Sequence, residues 1–148
     1  MYLIASSIAY LVVGLLLNRS RWKFRMIAVG YALNTVCTFA YLLVHNTTDL
    51  LFVQIGLGVA EAIATPTWDA FYASKLVDPD DTFAWGIAGG HTQLISGVAI
   101  AIGGLIAKFV SFHALFVTMG LISLAATAVQ IRLTILEERA GTVAPNPP

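Results

Sequence analysis

Charge is scarce in this chain. Of its 148 residues only 11% are Asp, Glu, Lys or Arg, against ~25% in an ordinary soluble domain. So few charges could not cover a folded surface in water. Lysine plus arginine number 8, and aspartate plus glutamate number 8. There is no basic excess to neutralise phosphates, so a nucleic-acid partner is excluded. Cysteine occurs once, at Cys37, which excludes an intramolecular disulfide and any CxxC metal site. The chain has no Gly-x-Ser-x-Gly, no GxxxxGK[ST], no dinucleotide fingerprint and no HExxH. The expectation is a protein that is not an enzyme and uses no cofactor or metal. What the chain does have is apolar length: 58% of residues are hydrophobic and the mean hydropathy is +0.82. The class left standing is an integral membrane protein.

The placement of the charges divides the chain. Residues 1–18 carry none, and Arg19, Arg21, Lys23 and Arg25 then form a dense basic cluster. Residues 26–48 are again uncharged. Between Asp49 and Lys75 stand only Glu61 and Asp69, followed by the acidic link Asp78-Pro79-Asp80-Asp81. Residues 82–107 and 109–131 are uncharged on either side of Lys108. A bilayer core needs ~20 apolar residues in a helix. Four of these runs clear that length and the first is at its short end.

The runs predict an all-α, polytopic membrane helix bundle of five transmembrane helices, at about 2–18, 25–45, 49–75, 83–108 and 111–135. A lipid-facing sheet would leave backbone groups unsatisfied, and a barrel would show short alternating stretches instead of continuous runs. The helical domain is expected over 1–136. The polar, Pro-rich 137–148 reads as a disordered cytoplasmic tail. Short polar links make the helices run up and down. Seven basic residues (Arg19, Arg21, Lys23, Arg25, Lys75, Arg132 and Arg139) then fall on one side, and Lys108 alone falls on the other. The positive-inside rule places the first side in the cytoplasm of a cell (inner) membrane, with the N-terminus outside and the C-terminus inside. Helix 1 has its charges after the apolar run, unlike a secretory signal.

Gly14, Arg19 and the basic run Arg21, Lys23, Arg25 resemble the cytoplasmic loop of the major facilitator superfamily, Gly-x-x-x-Asp-Arg/Lys-x-Gly-Arg/Lys-Arg/Lys. Asn18 and Arg21 stand at its Asp and second Gly positions. Gln54-Ile55-Gly56-Leu57-Gly58 is similar to a fourth-helix stretch of that family, with Gln for Arg. The glycines at 86, 89, 90, 97, 103 and 104 resemble its glycine-rich fifth or eleventh helix, and Phe116 also fits. The resemblance spans about 3–136. It implies an MFS-like half lacking its first helix, with helices 2–6 or 8–12 of twelve and the C-terminal half slightly favoured by the polar tail. Such transporters bind substrate near the midplane between halves. The function implied is part of a secondary active transporter that moves a small solute by alternating access. The partners implied are the lipid bilayer, the solute, and a second copy or a complementary membrane chain. The alternative is a truncated or accessory membrane subunit with a structural role.

The third helix carries the candidate chemistry. A carboxylate in hydrocarbon costs at least ~2.5–3.5 kcal/mol, so it faces protein or water, takes a partner or holds a proton. Desolvation favours the neutral carboxyl, as proton coupling requires. Glu61 lies about twelve residues from either end of that helix and is the leading substrate- or proton-binding candidate. Asp69 lies eight residues further, nearer the cytoplasmic side, where a structural contact or one with Lys75 reads better. Gln54, Thr65, Trp68 and Tyr72 extend the stripe. Pro66 removes one backbone donor and frees the carbonyl of Ala62. The kink this implies is a hinge or a tolerated bend, with Thr65 or Thr67 able to satisfy freed groups.

His91 and Gln93 in the fourth helix are secondary candidates, since histidine titrates near neutral pH; an interhelical hydrogen bond is the bland alternative. Gly86, Gly90, Gly97 and Gly104 recur at helical steps and read as a packing stripe that lets backbones approach. Cys37 reads as a buried apolar thiol. Tyr2, Trp22, Tyr41, Trp85 and Phe112 lie near helix ends, as interface anchors do. Asn46-Thr47-Thr48 matches a glycosylation sequon in a loop too short and too near the membrane to serve as one.

Overall fold

The computed structural model describes residues 2–17, 23–76 and 81–139. They form five helices: α1 (Tyr2–Leu17), α2 (Lys23–Ala40), α3 (Thr47–Lys75), α4 (Thr82–Phe109) and α5 (Phe112–Arg139). Among the described residues there is no strand. Four helical stretches are long and apolar enough to cross a membrane: Arg25–Leu43, Thr47–Lys75, Thr82–Phe109 and Phe112–Glu137. The 16 described residues of α1 extend ~24 Å at 1.5 Å each, short of a ~30 Å hydrocarbon core.

The ends of these helices have local causes. At Tyr41–Leu43 the end of α2 tightens into a 3₁₀ turn, so its α-helical part stops before the expected 45. Asn46 caps α3, its side chain accepting from the Asp49 amide at 2.9 Å. The sequon asparagine is therefore a helix cap, satisfying one of the orphan N–H groups of a first turn. Asp81 caps α4 in the same way, accepting from Phe83 and Ala84 at 2.9 and 3.2 Å. Ser111 accepts from the Ala114 amide at 3.0 Å at the head of α5. Proline does not interrupt α3, which continues through Pro66. Thr67 donates to the Ile63 carbonyl at 2.8 Å, one position beyond the carbonyl that Pro66 frees. As α5 runs to Arg139, residues 137–139 are helical and not part of a disordered tail. Residues 140–148, with Arg19 and Arg21, lie outside the described residues.

The helices pack side by side in the order α1, α3, α2, α5, α4. The core is small and made of small or hydroxylated side chains. Ala60 and Ala62 are fully buried, as are Ile27, Cys37, Val53, Thr35, Thr38, Thr67 and Thr127 nearly so. Large apolar side chains point outward instead: Leu11, Val36, Phe52, Leu94, Ile100 and Leu105 are all more than half exposed. Lipid offers no hydrophobic drive between helices, so close backbone approach and interhelical hydrogen bonds hold such a bundle. Gly30 brings α2 close against the backbone of α3. A Cβ there would sit 2.8 Å from the Ala64 Cβ and 2.9 Å from the Ala60 carbonyl oxygen. Gly56 similarly admits the Cys37 sulfur. A hydroxyl seam joins α2 to α5. Thr35 Oγ1 lies 2.7 Å from Ser123 and 2.8 Å from Thr127, and Thr127 donates to the Tyr31 carbonyl at 3.0 Å.

Candidate functional site

A cleft of about 740 Å³ opens between α2, α3 and α5, with Ala99 of α4 at its margin. Its residues come from recognisable helical steps. From α2 come Gly30, Tyr31, Asn34 and Thr38, and from the 3₁₀ turn that follows it Tyr41, positions that share one face at helical spacing. From α3 come Gln54, Leu57, Glu61, Ala64 and Thr65, with Ala60 beside them. Opposite stand Met119, Ile122, Ser123 and Ala126 of α5. Polar groups are concentrated on α2 and α3. Ser123 is the polar residue of the α5 wall, and its hydroxyl meets Thr35 in the seam.

Glu61 is half-buried and, among the described residues, brings the one carboxyl of this cleft. Two turns toward the start of α3, or ~10 Å, Gln54 donates from Nε2 to the Tyr41 hydroxyl at 3.0 Å. The Tyr41 ring stacks on Phe116 of α5, with centroids 4.6 Å apart and planes 9° from parallel. Thr38 spends its hydroxyl on the Asn34 carbonyl at 2.8 Å, a common helix back-bond. The arrangement can receive a solute, orient it by amide, phenol and carboxyl groups, and exchange a proton at Glu61. Among the described residues no group of three or more His, Cys, Asp or Glu could hold a metal ion.

The candidates read from the sequence separate in space. Glu61, Gln54 and Thr65 share the cleft. Asp69 is exposed and does not line it. Trp68 and Tyr72 leave the stripe for an aromatic cluster with α4. The two rings stack at 5.2 Å, Tyr72 meets Trp85 edge-on at 5.1 Å, and its hydroxyl donates to the Ala84 carbonyl at 3.0 Å. His91 and Gln93 are exposed on α4, outside the cleft. Gly86, Gly90, Gly97 and Gly104 do not pack against a described residue: a Cβ at each would meet nothing within 4 Å. Among the described residues this stripe therefore has no close neighbour. The close approaches lie instead at Gly30, at Gly56, and at Gly120, which faces the Phe39 ring. Arg25 is exposed and Lys23 opens α2.

Sequence reasoning passed over Asn34, Thr38 and Tyr41. Their signal was present: Asn34 and Thr38 are polar residues one turn apart inside the uncharged run 26–48. Tyr41 reads as an interface anchor, but the structure turns it into the cleft.

Long apolar helices, an outward-facing apolar surface and a polar cleft between three helices define a multi-pass membrane protein. Residues 1–147 match the family model of the Major Facilitator Superfamily, and the chain belongs to that family. It is 29% identical over 80 residues to the proton-coupled antiporter flippase LtaA of Staphylococcus saprophyticus, a match covering 54% of this chain and 20% of the relative. Against the protein of the same name from Staphylococcus haemolyticus it is 28% identical over 92 residues, covering 62% and 23% respectively. The matches thus span about a fifth of the length of these relatives. No solved structure matches the chain.

Proposed function

We propose that this chain is part of a secondary active transporter that carries a small solute across the cell (inner) membrane by alternating access, with Glu61 as its protonatable group. The observation that carries the reading is the cleft: among the described residues its lining holds one carboxyl, Glu61, together with Asn34, Tyr41 and Gln54. The relatives are named as proton-coupled antiporters, which supports a proton as the coupling ion. In this reading protonation of Glu61 removes the cost of a charge at membrane depth. The cleft can then change its opening without solute, and solute binding offsets that cost in the other state.

The N-terminus is placed outside and the C-terminus in the cytoplasm, with Arg19, Arg21, Lys23 and Arg25 against anionic lipid heads. The exposed apolar length of α4 is assigned to lipid, a second copy or a complementary membrane chain. Asp69, His91 and Gln93 have no assigned part in binding, because they lie outside the cleft.

Glu61→Gln tests the central assignment. In proteoliposomes loaded with a pH-sensitive dye and challenged with a panel of small solutes, solute-dependent proton movement is expected to vanish. Unchanged proton movement would remove Glu61 from the mechanism.

A further inference from the structure

The cleft has two ends, and one of them is built differently from the rest of its lining. Where α2 stops, its last turn tightens to a 3₁₀ turn at Tyr41–Leu43, held by a Val44 amide to Tyr41 carbonyl bond of 3.3 Å. Tyr41 sits on this short terminal turn and not on the α-helix proper. Its ring and hydroxyl are nevertheless fixed from two other helices. Phe116 of α5 stacks on the ring and Gln54 of α3 donates to the hydroxyl. Three helices therefore meet at one side chain, all at the end of the bundle where the 44–46 link lies. Glu61 lies two helical turns deeper along α3.

These two contacts hold the ring between α3 and α5. Both contacts are individually modest, a neutral hydrogen bond and one aromatic stack. Separation of α5 from α3 would break one of them or the other.

We propose that Tyr41 is a latch that closes this end of the cleft over Glu61, pinned shut by Gln54 and Phe116. The proposal rests on the transport reading for its purpose, but not for its geometry. Closure is a property of the cleft whether or not a solute moves through it. Tyr41 acts here as a positioning residue, because it sets which face of the cleft water and solute can enter.

Solvent access tests this directly. A cysteine at Leu57, between Gln54 and Glu61 on the cleft wall, is introduced into the full chain with Cys37→Ala. Its reaction rate with a membrane-impermeant thiol reagent is then measured in membrane vesicles, from the side bearing the 44–46 link. Adding Tyr41→Ala removes both contacts and is expected to raise that rate about tenfold. Adding Tyr41→Phe keeps the stack, loses the bond and raises it about fivefold. Gln54→Ala matches Tyr41→Phe. An unchanged rate in Tyr41→Ala, or a Tyr41→Phe variant indistinguishable from the parent, overturns the latch. Each variant is scored only against its own total labelling after denaturation, so a misfolded protein is recognised by equal labelling from both sides; the milder Tyr41→Phe then decides. Labelling shifts without solute-driven proton movement would leave the latch standing and the transport reading refuted.

Discussion

The α2–α3 contact and the α4 helix are opposites. Both are rich in small residues. In the first, Gly30 meets the Ala60–Ala64 ridge so closely that no Cβ would fit, and Ala60 and Ala62 are fully buried. In the second, 28 residues run with none buried, and Gly86, Gly90, Gly97 and Gly104 face open space. A glycine stripe permits close approach but does not cause it. What decides is whether a complementary ridge stands opposite, and here α3 offers one to α2 while no described helix offers one to α4. The α2–α5 contact adds a second device, the hydroxyl seam of Thr35, Ser123 and Thr127. In lipid such bonds are worth roughly 0.6–2 kcal/mol each.

The contrast can be broken by substitution. Gly30→Val forces a branched side chain into the Ala60–Ala64 ridge and should cost about 3 kcal/mol, the upper range of overpacking. Thermal unfolding in detergent, followed by loss of monodisperse protein, reads this as a large drop in midpoint. Gly97→Ala is the smallest effect. Its Cβ meets nothing, and alanine is the better helix former, so stability should be unchanged or rise by up to ~1 kcal/mol. A loss in Gly97→Ala comparable to that of Gly30→Val would mean that α4 is packed like α2, and the distinction would fail.

Much of the fold was legible because charge cannot be hidden in lipid. The uncharged runs between Arg25 and Asp49 and on both sides of Lys108 mark helix bodies directly. The caps were less legible, since Asn46 and Asp81 read first as a sequon and an acidic link. The site was legible only in part. Glu61 and Gln54 stand out because a polar group at membrane depth is costly and must have a reason to be there. Asp69 reads better as structural, nearer the cytoplasmic side, and it is exposed eight residues on from Glu61, because α3 is longer than the cleft is deep. His91 and Gln93 are singled out because histidine titrates near neutral pH. That property says nothing about which helices are neighbours, and α4 stands at the far edge of the row, beyond α5. Tyr41 was read as an anchor because tyrosine is common at helix ends. Its stacking on Phe116 depends on a tertiary contact across 75 positions of sequence, which no local pattern announces.

The account stands or falls on the cleft being wet while the outer face of α4 is in lipid. Single cysteines at Thr65, in the cleft, and at Ile100, 76% exposed on α4, are compared in a Cys37→Ala chain in native membranes with a water-soluble thiol reagent. Thr65→Cys should be modified and Ile100→Cys should resist until the membrane is dissolved. Equal modification of the two in intact membranes, or protection of Thr65→Cys alone, would contradict a solute path between α2, α3 and α5.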